Sequence, residues 1–434
     1  MNQQKVFEFE YGKVKIKVYG GLGEIGGNCV VIEDRDRKIV FDNGIKFSVL
    51  RRFYGGRIEP LGLSELRSVG AVSPLEALQG ASALYVSHLH LDHTGLLSSI
   101  PPEVSIKVPN MRVLESTLAS WYRRPGSWLA YVPPDYTAKV KEVESKREDE
   151  NNVMAIPVSH SCFPAYSFLY AGSDATIFYS GDLRFEPLTN VCHRLDEIMR
   201  DVGIDGVDVA LLEGTNFNAE YTPITASMFR DYISLLLREY DLTSISIDPL
   251  DLEAFMAILD SSLLMGKNLV IGSERLLWVI DEVERLKSEA LDKIYISEEL
   301  EVPTPLLLRN ISLVNEVFKS PENYVLIIEP VGLLQIFRKL KIWGESPNLI
   351  GSVVVLMDPE PRESIKEIEE GALRTWLKSF GIQAFRLRLS GHYLPHQFHN
   401  IIETLKPKNL IPLHTEETDL INKLFKKSIS AKRD

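Results

Sequence analysis

The sequence predicts an α/β protein in which a strand-rich portion is interrupted by an inserted parallel α/β unit. Three observations predict it. Up to Glu213 the chain reads as short apolar strands joined by Gly-rich or charged turns. Beyond Glu213 helical and strand patterns alternate, as in a parallel sheet with crossover helices. The length of 434 residues calls for two or three domains rather than one core.

In the first portion, strands are expected at 14–20, 28–34, 38–44, 83–88, 152–160, 166–172, 175–182 and 207–214. Each is an apolar, β-branched or aromatic run, punctuated by turn residues. The charged run 139–152 reads as a solvated helix end and loop. In the insert, helices are expected at 228–240, 252–264 and 276–287, and strands at 244–248, 268–272, 324–330 and 352–358. A helix at 363–380, a strand at 384–392, a helix at 396–405 and a strand at 409–414 follow. Grouping these last elements with the first portion gives domains 1–217, 218–358 and 359–434.

Hydrophobic content of 45% and charged content of 25% are those of a soluble globular chain. The opening MNQQKVFEFEYGK lacks a basic-then-apolar signal. No apolar run reaches the roughly 18 residues that span a bilayer. A cytoplasmic location and no membrane partner are therefore expected. Cys29, Cys162 and Cys192 have no C-x-x-C spacing, which argues against a cysteine zinc site. The net charge of −12 counts against a polyanionic partner, but the tally includes carboxylates that a metal would neutralise.

The central motif is SHLHLDHTG, with His88, His90, Asp92 and His93 directly after an apolar strand. Four imidazole and carboxylate side chains in six residues suit a loop that holds zinc. His160, Asp182 and His414 each end another expected strand, as an open metal site requires. Asp42 ends the strand KIVFD, either as an orienting partner of a ligand or as a plain turn residue before Asn43 and Gly44. Glu213 in LLEGTN and His392 in LSGH are further strand-end candidates. His193, His396 and His399 read as ordinary helix or surface residues. Gly21, Gly23 and Gly26 spell G-x-G-x-x-G, but a strand follows where a dinucleotide site needs a helix, so no nicotinamide cofactor is expected.

The H-x-H-x-D-H loop, the separated His160, Asp182 and His414, and the insert resemble the β-CASP branch of the metallo-β-lactamase superfamily. GGLGEIGGN at 20–28 and DNGIKF at 42–47 are most similar to ribonuclease J-like ribonucleases. The resemblance implies a metallo-β-lactamase αββα sandwich with an inserted parallel α/β (β-CASP) domain. It implies two zinc ions, the first held by His88, His90 and His160 and the second by Asp92, His93 and His414. Asp182 would bridge them, and Asp42 would stand behind a ligand. It places Glu213 and His392 beside the metals, where the imidazole would protonate a leaving oxygen.

The implied activity is hydrolysis of RNA phosphodiester bonds by a two-zinc hydroxide, with the ions about 3.5–4 Å apart. Asp92, Glu213 and His392 are the expected catalytic residues, and the products a 5′-phosphate and a 3′-hydroxyl. Attack from the 5′ end is expected over internal cutting. The implied partner is single-stranded RNA, with a homodimer as a possible assembly. Arg51, Arg52 and Arg57, with Tyr122, Arg123, Arg124 and Trp128, read either as part of an RNA path or as solvated loops with packing aromatics. The insert departs from the family. IIEPVGLLQIFRK at 327–339 replaces its Gly-Ser-Gln-Gly-Glu-Pro stretch. Two other functions stay open: a small-ester or thioester hydrolase on the same fold, and a non-catalytic RNA-processing subunit.

Overall fold

The computed structural model describes residues 6–55, 58–95, 97–122, 140–219, 222–298, 300, 311–312, 314–342, 349–357 and 364–430. The chain divides into two compact units, Met1–Thr222 with Gly391–Asp434, and Pro223–Ser390.

Among the described residues the first unit contains two sheets. One has seven strands in sequence order: β1 (Phe7–Tyr11), β2 (Val14–Gly20), β3 (Cys29–Asp34), β4 (Arg37–Phe41), β5 (Ala83–Tyr85), β6 (Ser105–Val108) and β7 (Val140–Glu142). Strict alternation shows why β2 sits here. Val14, Ile16 and Val18 are buried, while Lys15 and Lys17 point the other way. β7 corrects the expectation of a helix end at 139–152. It is a three-residue edge strand paired in parallel with β6, too short and charged to read as one.

The other sheet contains β8 (Val153–Val158), β9 (Ala165–Ala171), β10 (Thr176–Tyr179) and β11 (Val209–Glu213). The inward faces of the two sheets share one core, with Val14, Ile16, Phe41 and Tyr85 from the first and Phe168, Tyr170, Tyr179 and Leu211 from the second. Phe41 stacks on Phe168 at 5.4 Å and on Tyr179 at 5.2 Å. Such pairs contribute about 0.5–1.5 kcal/mol each beyond area burial.

The second unit carries β12 (Thr243–Ser246), β13 (Asn268–Ile271), β14 (Ile294–Ser297), β15 (Ile311–Ser312), β16 (Tyr324–Ile327), β17 (Val353–Leu356) and β18 (Gln383–Arg386). They form one parallel sheet in the order β15-β14-β13-β16-β12-β17-β18. Helix Ala226–Glu239 starts where the Thr225 side chain accepts from the Met228 amide, and buries Phe229, Ile233, Leu236 and Leu237. Asp251 caps helix Leu252–Leu264 in the same way.

Here the expected boundary at 358 fails. β18 pairs in parallel with β17, so the strand at 384–392 belongs to the inserted sheet and ends at Arg386. The unit closes at Ser390.

The chain re-enters the first unit at Gly391. There helix Phe398–Leu405 leads to β19 (Asn409–Leu413), which pairs in parallel with β11. Helices Leu195–Asp201, Phe398–Leu405 and Thr418–Ser430 cover the outer face of this sheet. Among the described residues no helix is long and apolar enough to cross a membrane.

Candidate metal centre

The candidate residues gather in the first unit because the chain delivers them at strand ends. Asp42 follows β4, His88 follows β5, His160 follows β8, Asp182 follows β10 and His414 follows β19, while Glu213 ends β11. The segments interlock backbone to backbone. A Cβ on Gly44 would come within 1.6 Å of the Asp92 carbonyl oxygen, so only glycine lets the Asp42–Gly44 turn pass beneath the motif loop. Asp42 and His414 both take left-handed backbone, with φ of 57° and 52°. Aspartate and histidine are among the few side chains that tolerate that region.

Potential ligand atoms fall into overlapping groups, each spanning no more than 4.8 Å: His88, His90 and His160; His88, His93 and Asp182; Asp92, His93 and His414; Asp182, Glu213, His392 and His414. His160 Nε2 lies 3.2 Å from His90 Nδ1. His93 Nε2 lies 3.1 Å from Asp182 Oδ2, and His414 Nε2 lies 3.2 Å from Asp92 Oδ2. Donors about 2.0–2.1 Å from a tetrahedral ion stand about 3.3 Å from one another, so these separations fit shared ligation. The fit also rests on unsatisfied atoms. Among the described residues His88 Nε2 and Asp182 Oδ1 are buried without a hydrogen-bond partner. Buried polar groups of this kind are costly unless something positive meets them.

The other ring nitrogens are anchored. His93 Nδ1 donates to Asp42 Oδ2 at 2.7 Å. His160 Nδ1 donates to the Gly391 carbonyl at 2.6 Å. His414 Nδ1 meets Thr215 Oγ1 at 2.7 Å, and His88 Nδ1 meets Ser87 Oγ at 3.0 Å. Each arrangement leaves Nε2 facing the cluster. The Asp42 side chain thus contacts His93, from a turn residue with left-handed backbone. Ser87 and Thr215 carry no sign of this role in the sequence.

Charge follows the same plan. Burial pushes His88 and His160 well below the usual imidazole range, which suits neutral ligands. Burial would raise Asp182, but His414 and His93 outweigh it and hold the carboxylate ionised, well below its usual range. Asp92 is likewise lowered against burial, chiefly by His414. His93 rises well above its usual range because Asp182 and Asp42 outweigh burial.

His392 Nδ1 lies 3.1 Å from Glu213 Oε1 and 3.8 Å from Asp182 Oδ2. Burial lowers the His392 pKa, yet Glu213 and Asp182 outweigh it and raise the imidazole above its ordinary value. Glu213 is 1% exposed and receives amides from Leu183 and Thr215. His90, Asp92 and His392 are partly exposed while the other members are buried, so these three line the side open to solvent.

Remaining candidates lie apart. His193, ahead of helix Leu195–Asp201, pairs with Glu197, and His399 on helix Phe398–Leu405 pairs with Glu403; both are exposed, as is His396. Arg51 and Arg52 are exposed in the last turn of helix Phe47–Tyr54. Tyr122 ends helix Met111–Tyr122. Arg57, Arg123, Arg124 and Trp128 lie outside the described residues.

This geometry can be set beside known proteins. No family model matches the chain. Ribonuclease J of Pyrococcus abyssi is 21% identical over 426 residues, covering 94% of this chain and 91% of that protein. Ribonuclease J2 of Bacillus subtilis is 22% identical, covering 93% and 69%. Over most of its length the chain is thus similar to proteins named ribonuclease J. Ribonuclease J of Mycobacterium tuberculosis is also 22% identical, with the same coverage of 93% and 69%. Among solved structures, a protein of unknown function from Enterococcus faecalis V583 matches with a TM-score of 0.69 at 18% identity, covering 94% of this chain and 95% of that one. At that identity the likeness concerns the fold alone.

Proposed function

We propose that this chain is a zinc-dependent ribonuclease that hydrolyses RNA phosphodiester bonds and leaves a 5′-phosphate and a 3′-hydroxyl. The observation that carries the reading is the Glu213–His392 pair, 3.1 Å between Oε1 and Nδ1, placed against the ligand cluster. The two facing sheets, with a parallel α/β unit between Thr222 and Gly391, support a metallo-β-lactamase fold with a β-CASP insert.

In this reading His88, His90 and His160 would hold one ion and Asp92, His93 and His414 the other, with Asp182 available to both. Bound there, two zinc ions supply a nucleophile from water near neutral pH and a clamp on a phosphoryl oxygen. The protein supplies the rest. Asp42, Gly391 and Thr215 fix the faces of the histidines. Glu213 accepts from His392 Nδ1 and favours the charged imidazolium, whose Nε2 proton goes to the departing 3′ oxygen. The P–O3′ bond breaks as water oxygen joins phosphorus, and His392 is left neutral until it regains a proton.

RNA as substrate follows from the named relatives. A small-ester hydrolase has no need of a buried Glu–His pair beside the metals, and a non-catalytic subunit has no need of a complete donor set. The test is incubation of zinc-loaded protein with 5′-labelled monophosphorylated RNA, the same RNA circularised, and DNA. The proposed 5′-to-3′ attack yields labelled mononucleotide from the first time point and spares the circle. Internal fragments or a cut circle would make the enzyme an endonuclease; intact RNA in every arm would remove the ribonuclease reading.

A further inference from the structure

Asp42, Ser87 and Tyr179 are fully buried, and none of them faces the cluster as a ligand. Asp42 Oδ2 accepts from the Ser87 hydroxyl at 2.7 Å, from His93 Nδ1 at 2.7 Å and from the Tyr179 hydroxyl at 2.6 Å. Asp42 Oδ1 accepts from the Ser87 amide at 2.7 Å. The Ser87 hydrogen is committed to the carboxylate, so toward His88 Nδ1 at 3.0 Å its oxygen can only accept. His88 then carries its proton on Nδ1 and presents a bare Nε2, the atom that is buried without a partner among the described residues.

We propose that Ser87 is a positioning residue that relays Asp42 to His88, so that one buried carboxylate orients a ligand of each metal. The proposal rests on the two-metal reading above. His93, on the second ion, is gripped directly by Asp42 at 2.7 Å, with Ser87 Oγ farther off at 3.3 Å; His88, on the first, is reached through the serine hydroxyl at 3.0 Å. His160 and His414 have separate anchors in Gly391 and Thr215. The relay is held rigidly. A Cβ on Gly181 would come within 2.8 Å of Ser87 Cβ, which boxes the serine in. Tyr179 is fixed by its stack on Phe41, and its oxygen receives Asn28 Nδ2 at 3.3 Å. The two ions are therefore linked behind the site as well as across Asp182.

Zinc binding by equilibrium dialysis tests this on full-length protein. A His414→Ala background isolates the first ion, and a His90→Ala background the second. Ser87→Ala should weaken zinc about 10–100-fold in the first background, the usual cost of losing an outer partner. In the second the loss should be clearly smaller, because Asp42 still holds His93 Nδ1 at 2.7 Å once the 3.3 Å contact from Ser87 Oγ is gone. Asp42→Asn should weaken both. Tyr179→Phe removes a donor from the same Asp42 oxygen without touching His88, and should leave the first ion's affinity within about twofold. Ser87→Cys, a similar shape with a weak donor, gives the same readout if the alanine variant does not fold. Unchanged first-ion binding in the Ser87 variants, or a loss matched by Tyr179→Phe, overturns the relay and leaves the two-metal reading standing. Fewer than two zinc ions on the unmutated chain overturns both.

Discussion

Thr215 Oγ1 stands 2.7 Å from His414 Nδ1, so the residue two places after Glu213 fixes a ring delivered by the last strand. The Thr215 amide meanwhile donates to Glu213 Oε2 at 2.9 Å. Thr215→Val keeps the shape and the amide but removes the hydroxyl. It should lower affinity for the ion on Asp92, His93 and His414 by about 10–100-fold, while a His414→Ala background shows no further loss. Zinc titration of single and double variants reads this directly.

His392 is proposed to move a proton rather than to hold a metal. His392→Ala should keep its zinc and lose about 10²–10⁴ in turnover. Zinc loss in step with activity would instead make it a ligand. Glu213 raises the pKa of His392 against burial. The proton donor is the charged imidazole, so turnover falls as pH rises through that pKa. Removing the negative neighbour lowers it, and Glu213→Gln should shift the alkaline limb of the pH–turnover profile to lower pH. A limb that stays in place would detach Glu213 from the proton step.

Asp182 Oδ2 lies 3.1 Å from His93 Nε2 and 3.8 Å from His88 Nε2, between the two proposed ion positions. Asp182→Ala should lose metal and activity together. Elemental analysis after gel filtration gives the answer, and a variant that keeps two zinc ions and full turnover would end the bridging role.

Arg51 and Arg52 are the described members of the suggested RNA path, and Arg52 lies over the Phe53 ring at 5.7 Å. For each phosphate contact, affinity for single-stranded RNA falls by about 0.7 log unit per log unit of salt. Changing both to Gln should flatten the measured slope by about that amount per lost contact. An unaltered slope returns them to ordinary surface.

Much of the site was legible because each candidate ligand terminates an apolar run, and a strand end is where an inward-pointing polar side chain can reach a shared centre. His88, His160, Asp182 and His414 are cases of this. The orienting partners were harder. Nothing in one sequence ties Ser87 to Asp42, 45 residues earlier, or Thr215 to His414, 199 residues later. The second domain boundary was misread because AFRLRLSGH runs on without a break. Its first half pairs with β17 and its end carries His392 into the other unit. β7 was missed because an edge strand of Val-Lys-Glu has too little apolar character to stand out.

The return of the chain at Gly391 has a consequence for biosynthesis. β11 lies beside β19, and Asp92 beside His414, 322 residues apart. A nascent chain that has left the ribosome only as far as Ser390 holds β1–β11 but lacks the carbonyl that seats His160, the proposed proton donor His392 and the last candidate ligand His414. Parallel pairing across so long a separation is slow to form. The centre is therefore the final part of the polypeptide to mature, and translation must pass His414 before an active hydrolase can exist in the cell.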